Sequence, residues 1–175
     1  LDKYLLGISI LMVAVGALMI YSTTFSDPAK SGLFVKQLIF FGIGLTALIA
    51  LSALDYRFLR GISSAFYLLA ILLLSSVLFF GLNVAGGRRW FSLGFFQAQP
   101  VELAKLSLII FLAAYFQKKL PEISRLKTVF ISFLLVAIPV ALTLLQPDLG
   151  SAMVLVFIWF GMLISAGVRK KHLHK

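Results

Sequence analysis

Six stretches of this chain are apolar with almost no interruption, each close to the roughly 20 residues that an α-helix needs to cross the hydrocarbon of a bilayer. They fall at 4–21, 38–54, 63–82, 100–116, 129–145 and 149–167. A helix at a water-facing surface carries one apolar stripe and one polar face, whereas a helix that is apolar all round requires lipid or a large protein interior. Of the 175 residues, 61% are hydrophobic and 13% charged, with a mean hydropathy of +1.06. A soluble domain carries about a quarter charged residues, so the expected fold class is all-α: a polytopic membrane bundle of about six transmembrane helices, with 1–175 as one transmembrane domain. The first run is longer than a signal-peptide core of roughly 7–15 residues. No small-residue cleavage site follows Tyr21, so that run reads as a retained helix. With no cysteine there is neither a disulfide framework nor a thiolate metal site.

Short connections between six helices put alternate loops on opposite sides. One side collects Lys3, Arg57, Arg60, Lys118, Lys119, Arg125, Lys127, Arg169, Lys170, Lys171 and Lys175; the other has Lys30, Lys36, Arg88 and Arg89. Eleven basic residues against four, with Lys105 inside a helix, place the first side in the cytoplasm by the positive-inside rule. Both termini are then cytoplasmic, and the net charge of +10 is mostly a topology signal. Nucleic-acid binding would need these residues gathered on one soluble surface, so no nucleic-acid partner is expected. Gly16, Gly42, Gly44, Gly161 and Ser165 lie within the runs, where small residues let backbones approach. The basic tail with His172 and His174 has too few ligands for a metal and reads as a solvated anchor.

The informative residues are the polar ones at the outer helix ends. In Gln99-Pro100-Val101-Glu102-Leu103-Ala104-Lys105, the proline suits the first helical position, where its missing N–H has no intrahelical partner to lose. Glu102 and Lys105, three apart, share one helix face. Such a pair can exist only to lower its own insertion cost, but ionisable residues within membrane helices usually face a wet cavity or bundle interior and act there. A similar arrangement recurs at Gln146-Pro147-Asp148-Leu149-Gly150, for which turn chemistry is an equal reading. Between helices three and four lies Asn83-Val84-Ala85-Gly86-Gly87-Arg88-Arg89-Trp90-Phe91. It reads as a re-entrant or surface-lying segment, with a flexible glycine turn and with Trp90, Phe91, Phe95 and Phe96 in the interface. Arginines at headgroup depth suit phosphate, which a guanidinium binds through two hydrogen bonds at once. The pattern points to an outward-facing site for an anionic, lipid-linked substrate.

Four segments in order resemble signatures of the shape, elongation, division and sporulation (SEDS) family of RodA, FtsW and SpoVE. They are Gly16-Ala17-Leu18-Met19-Ile20-Tyr21-Ser22-Thr23-Thr24, Gly87-Arg88-Arg89-Trp90-Phe91-Ser92-Leu93-Gly94-Phe95-Phe96, Gln99 through Leu106, and Gln146-Pro147-Asp148-Leu149-Gly150-Ser151. The wording of the last two is closer to RodA than to FtsW. One departure is Val101, where the family commonly has serine, which puts a hydroxyl cap at this helix start in question.

The resemblance implies a peptidoglycan glycosyltransferase that polymerises lipid II at the outer face of the bacterial cytoplasmic membrane. It also implies a class B penicillin-binding transpeptidase as partner, among other elongation or division proteins and membrane lipids. Family members have roughly ten helices, and the carboxylate assigned as catalytic lies in an external loop after the seventh. The chain would then be an N-terminal fragment, inactive alone, with no certain catalytic residue. Displacing a polyprenyl diphosphate needs a base on the acceptor, and positive charge or a divalent cation (Mg or Mn) at the leaving group. By motif position, Glu102, Lys105 and Asp148 would support the site, and Arg88, Arg89, Trp90, Gln99 and Gln146 would bind substrate. A lipid II flippase, or a noncatalytic scaffold for cell-wall synthesis proteins, is the alternative. A transporter should carry inverted repeats and midplane polar groups, whereas here the ionisable residues sit at the outer helix ends.

Overall fold

The computed structural model describes residues 3–25, 32–52, 55–84, 86–92, 94, 96–123 and 125–167. Lys30, Phe95 and the basic tail with Arg169, Lys170, Lys171, His172, His174 and Lys175 lie outside the described residues. The chain divides into two compact units, Leu1–Asp55 and Tyr56–Lys175.

The first unit holds α1 (Lys3–Thr24) and α2 (Gly32–Ser52). The polar end of α1 satisfies itself: the Thr24 hydroxyl donates to the Ile20 carbonyl at 2.7 Å and that of Thr23 to Met19 at 3.0 Å. The Tyr21 ring meets Phe34 of α2 edge-on, with centroids 5.3 Å apart. α2 buries none of its residues.

The second unit consists of α3 (Tyr56–Phe80), a small antiparallel sheet, α4 (Pro100–Lys118), α5 (Leu126–Leu145) and α6 (Leu149–Ser165). A single 3-10 turn at Leu120–Glu122 joins α4 to α5. α4 packs on α3 and α6 around a core that includes Leu74, Val101, Leu108, Leu112, Val136 and Leu155. Five of the six helices are long and apolar enough to cross a membrane, and α6, at 17 residues, sits at the short end of the spanning range of roughly 17–25 residues.

The helices are those expected, but α2 begins at Gly32 rather than 38 and α3 at Tyr56 rather than 63. Hydropathy puts Lys36, Gln37, Arg57 and Arg60 in loops, yet they occupy helical turns, where long basic side chains reach the interface from within a helix. The segment after α3 is also more ordered than a surface-lying loop. It forms β1 (Leu82–Val84), β2 (Gly87–Ser92) and β3 (Gln97–Ala98), hydrogen-bonded in that order. Leu82 pairs with Trp90, Asn83 with Arg88 and Val84 with Gly87, with a bulge between Leu82 and Asn83. Gly86 turns the chain at φ +80°, a backbone region in which glycine has no steric penalty.

Polar groups tie the helices together. Pro139 interrupts α5. Having no N–H, it leaves the carbonyl four residues earlier, that of Leu135, without its helical donor. The Tyr67 hydroxyl of α3 donates to that carbonyl at 2.6 Å, with the Tyr67 ring stacked on Phe111 of α4. Trp159 of α6 donates its indole N–H to the Ser132 hydroxyl of α5 at 3.0 Å. In lipid no water is at hand to take over such groups, so neighbouring helices must satisfy them.

Candidate functional site

The C-terminal ends of α3 and α5, the sheet, and the N-terminal ends of α4 and α6 meet at one end of the second unit. Two helix C-termini leave carbonyls unpaired there, and the two arginines of β2 use them. Arg89 donates from Nε to the Gln146 carbonyl at 2.9 Å and from Nη2 to the Pro147 carbonyl at 2.6 Å. Arg88 donates from Nη1 to Phe79 and Leu78 at the end of α3, at 3.3 and 3.4 Å, and its side chain stays exposed. Each cation thus lies at the negative end of a helix dipole.

Gly87 shows how tight the first clasp is. A Cβ there would lie 2.7 Å from both Arg89 Nε and the Gln146 carbonyl oxygen. The glycine is buried packing, not a flexible turn. Gln146 is only 1% exposed, and its Nε2 donates to the Leu74 carbonyl of α3 at 3.1 Å. The α5–α6 turn is therefore anchored on two sides, to β2 by Arg89 and to α3 by Gln146.

The two similar helix starts are joined, but they are built differently. Pro100 is the first residue of α4, which puts Glu102 in its first turn. Pro147 stands one residue before Asp148, which is itself the N-cap of α6. Asp148 Oδ1 accepts from the Ser151 N–H at 3.0 Å, and Oδ2 accepts from the Ser151 hydroxyl at 2.8 Å and from Gln99 Nε2 at 3.2 Å. Gln99 occupies the N-cap position of α4, where its carbonyl accepts from the Glu102 N–H at 3.1 Å but its side chain makes no capping bond; its amide reaches across to Asp148 instead. Val101 lies fully buried in the core. Being inside the helix rather than at its cap, it does not take the place of a capping hydroxyl.

Lys105 Nζ and Glu102 Oε1 are 2.7 Å apart, with Glu102 62% exposed and Lys105 20%. Both line a groove of about 880 Å3, together with Gln99, Pro100 and Phe91 and an apolar wall formed by Leu73, Leu106, Ile109 and Ile158. An ion pair at one end of a long apolar trough suits an amphiphile with a charged head. Asp148 stands one hydrogen bond behind the groove, through Gln99. Trp90 is half-buried on β2 and is not among the groove residues. Among the described residues no three His, Cys, Asp or Glu side chains cluster to hold a metal.

Sequence reasoning missed two features: the use of Arg89 on backbone carbonyls, which leaves no side-chain signal, and the support of Asp148 by Ser151. The backbone half of the second was readable, since Asp is a preferred N-cap whose carboxylate accepts from the N–H three residues on, here that of Ser151.

Residues 2–175 match the FtsW/RodA/SpoVE family of cell cycle proteins. The chain belongs to this family. It is 34% identical over 177 residues to the Haemophilus influenzae protein named "probable peptidoglycan glycosyltransferase FtsW", covering 96% of this chain and 44% of that protein. The structure superposes on the rod shape determining protein RodA of Thermus thermophilus with a TM-score of 0.83 at 36% identity, covering 98% of this chain and 56% of that one. A chain of a solved peptidoglycan synthase complex that coordinates polymerization and crosslinking gives 0.76 at 36% identity, covering 94% and 48%. The FtsW and RodA relatives stand level in identity. The chain spans about half the length of the curated relatives it matches. With its apolar helices and this family, it is a multi-pass membrane protein.

Proposed function

We propose that this chain forms the N-terminal helix bundle of a peptidoglycan glycosyltransferase, which joins lipid-linked disaccharide-peptide units into glycan and releases polyprenyl diphosphate. The observation that carries the proposal is the groove holding the Glu102–Lys105 pair beside the Gln99–Asp148–Ser151 network, in a chain of this family. The polar rim suits a diphosphate and sugar, and the apolar wall suits the first carbons of a polyprenyl chain.

In the reaction the acceptor hydroxyl oxygen bonds to the anomeric carbon as the bond to the diphosphate oxygen breaks. The acceptor proton passes to a base, and the diphosphate leaves with the bonding pair. Lys105 in the groove and the exposed Arg88 at its end of the unit supply positive charge for the developing diphosphate. Glu102 holds the Lys105 ammonium in place. Arg89, Gln146, Gln99 and Asp148 are positioning residues that fix the helix ends forming the rim, and Trp90 borders it in the interface. The base comes from outside these residues. A Mg or Mn ion carried by the diphosphate would need only one or two protein carboxylates, and Glu102 is the exposed one.

The excess of basic residues on the opposite loops supports a cytoplasmic position for both ends of the chain and an outward-facing site at the bacterial inner membrane. The synthase-complex relative supports a penicillin-binding transpeptidase as partner. The test is polymerisation of purified lipid II by this protein at the length of its relatives. Glycan strands that disappear with Glu102→Gln or Lys105→Met, while the fold is kept, support the reading. Movement of lipid II between leaflets with no glycan formed would overturn it in favour of a flippase, and neither activity would leave a scaffold.

A further inference from the structure

Between Glu102 and Gln117, themselves exposed, the residues of α4 left exposed are Leu106, Ile109 and Ala113 alone. Their spacing of three and four residues makes them one stripe of the helix. The other faces of α4 carry its buried residues, where α3, α5 and α6 pack. The stripe runs through two cavities. The groove of about 880 Å3 takes in Glu102, Leu106 and Ile109, with Leu73 of α3 and Ile158 of α6 as walls. A second cavity of about 630 Å3 takes in Ile109, Ala113 and Gln117, with Leu59 of α3 as wall. Ile109 lines both, and the two adjoin at its side chain as one lane. The lane is charged at the Glu102–Lys105 pair, apolar from Leu106 to Ala113, and polar again at Gln117.

Its length says what kind of chain fits. From Glu102 to Gln117 the helix rises about 22 Å, and to Ala113 about 16 Å, whereas one leaflet accounts for about 15 Å of the roughly 30 Å of hydrocarbon. The acyl chains of a phospholipid headed at the ion pair would end near the bilayer middle and leave the second cavity unfilled. A single longer chain fills both. We infer that the lane holds the polyprenyl chain of the lipid-linked substrate beyond the depth of one leaflet, with isoprene units past Ile109 lying against Ala113. The small Ala113 side chain leaves room there for the methyl branches of such a chain. This inference rests on the glycosyltransferase reading of the groove and assigns the second cavity to the far part of the same substrate. Lipid is as apolar as the lane, so the gain comes from packing rather than from transfer out of water, and the selectivity it gives is modest.

The experiment is native mass spectrometry of the protein, at the length of its relatives, released from nanodiscs after titration with one of two probes. Undecaprenyl diphosphate has the long chain; geranyl diphosphate has the same head and a chain too short to reach Ala113. Ala113→Trp is expected to weaken undecaprenyl diphosphate about fivefold and to leave geranyl diphosphate within about twofold, the scale set by lost packing contacts. Lys105→Met is expected to weaken both probes about fivefold, because they share the head. Leu68→Trp, at an exposed position of α3 that lines neither cavity, is expected to change neither. If both probes respond to Lys105→Met but Ala113→Trp does not discriminate against the long one, the lane is overturned while the glycosyltransferase reading stands. If neither probe responds to Lys105→Met, that reading fails and the lane with it. Equal loss of both probes in Ala113→Trp, repeated in the milder Ala113→Leu, would assign Ala113 to packing against other helices and overturn the inference, as would a Leu68→Trp effect equal to that of Ala113→Trp.

Discussion

Replacing Tyr67 with phenylalanine removes one oxygen atom, and the structure says what that atom does. Its O–H donates at 2.6 Å to the Leu135 carbonyl, whose helical donor is missing because residue 139 is proline. The ring itself should stay, since its stack on Phe111, with centroids 4.4 Å apart, makes no use of the hydroxyl. A buried acceptor stripped of its partner costs about 1–3 kcal/mol, whereas measured bonds between membrane helices average about 0.6 and reach about 1.7 kcal/mol. Tyr67 is 9% exposed and Leu135 only partly buried, so the expected loss is about 1–1.5 kcal/mol, close to tenfold in the folding equilibrium. The assay is reversible unfolding in mixed detergent micelles, run as a double-mutant cycle with Pro139→Ala. Alanine restores an N–H aimed at Leu135, so in that background Tyr67→Phe should cost less than about 0.5 kcal/mol. An equal cost in both backgrounds would refute the argument that proline creates the need for the tyrosine.

Other consequences can be measured in the same system. Gly87→Ala places a methyl group 2.7 Å from Arg89 Nε and the Gln146 carbonyl oxygen; a destabilisation of about 1–3 kcal/mol is expected from overpacking, with loss of glycan synthesis if the clasp positions the rim. Glu102→Gln should change stability by less than about 1 kcal/mol, because the Glu102 side chain is largely exposed, while lowering polymerisation; a stability loss that accounted for all of the activity loss would make the pair structural. Trp159→Phe should cost about 0.6–1.7 kcal/mol through the lost Ser132 bond. It leaves Trp90 as the one tryptophan among these 175 residues, and in this 175-residue chain its fluorescence should be quenched most by lipids brominated near the headgroup if β2 lies in the interface.

The helices were legible because each is a long apolar run, and lipid leaves the backbone few alternatives to a helix. The starts of α2 and α3 were not, since hydropathy treats Lys36, Arg57 and Arg60 as loop residues although a helix can carry them into the interface. The sheet was hidden for another reason. Strands of two to six residues are too short for alternation to declare itself, and Gly87-Arg88-Arg89-Trp90-Phe91-Ser92 follows no clean period of two. At the site, the sequence placed Glu102 and Lys105 on one face, and the geometry agrees. It also showed the likeness of the two Gln-Pro segments, without any means of revealing that Gln99 of one bonds to Asp148 of the other.

Arg89 is the residue for which the sequence was least able to say enough. Read by motif, a pair of arginines beside aromatic residues is a phosphate site, and Arg88 keeps most of its guanidinium available for that. Arg89 instead spends two donors on the carbonyls of Gln146 and Pro147. If its main role is the clasp, Arg89→Lys should fail almost as fully as Arg89→Gln, because an ammonium cannot reproduce two donors at fixed spacing. A role in attracting diphosphate through charge predicts the reverse, with lysine retaining most of the activity and glutamine little. The two outcomes separate on KM as well. Loss of a charge contact weakens lipid II binding and raises KM, whereas a displaced α5–α6 turn disturbs Asp148 and Gln99 together and lowers kcat. Rescue by lysine with an unchanged kcat would overturn the positioning role of Arg89.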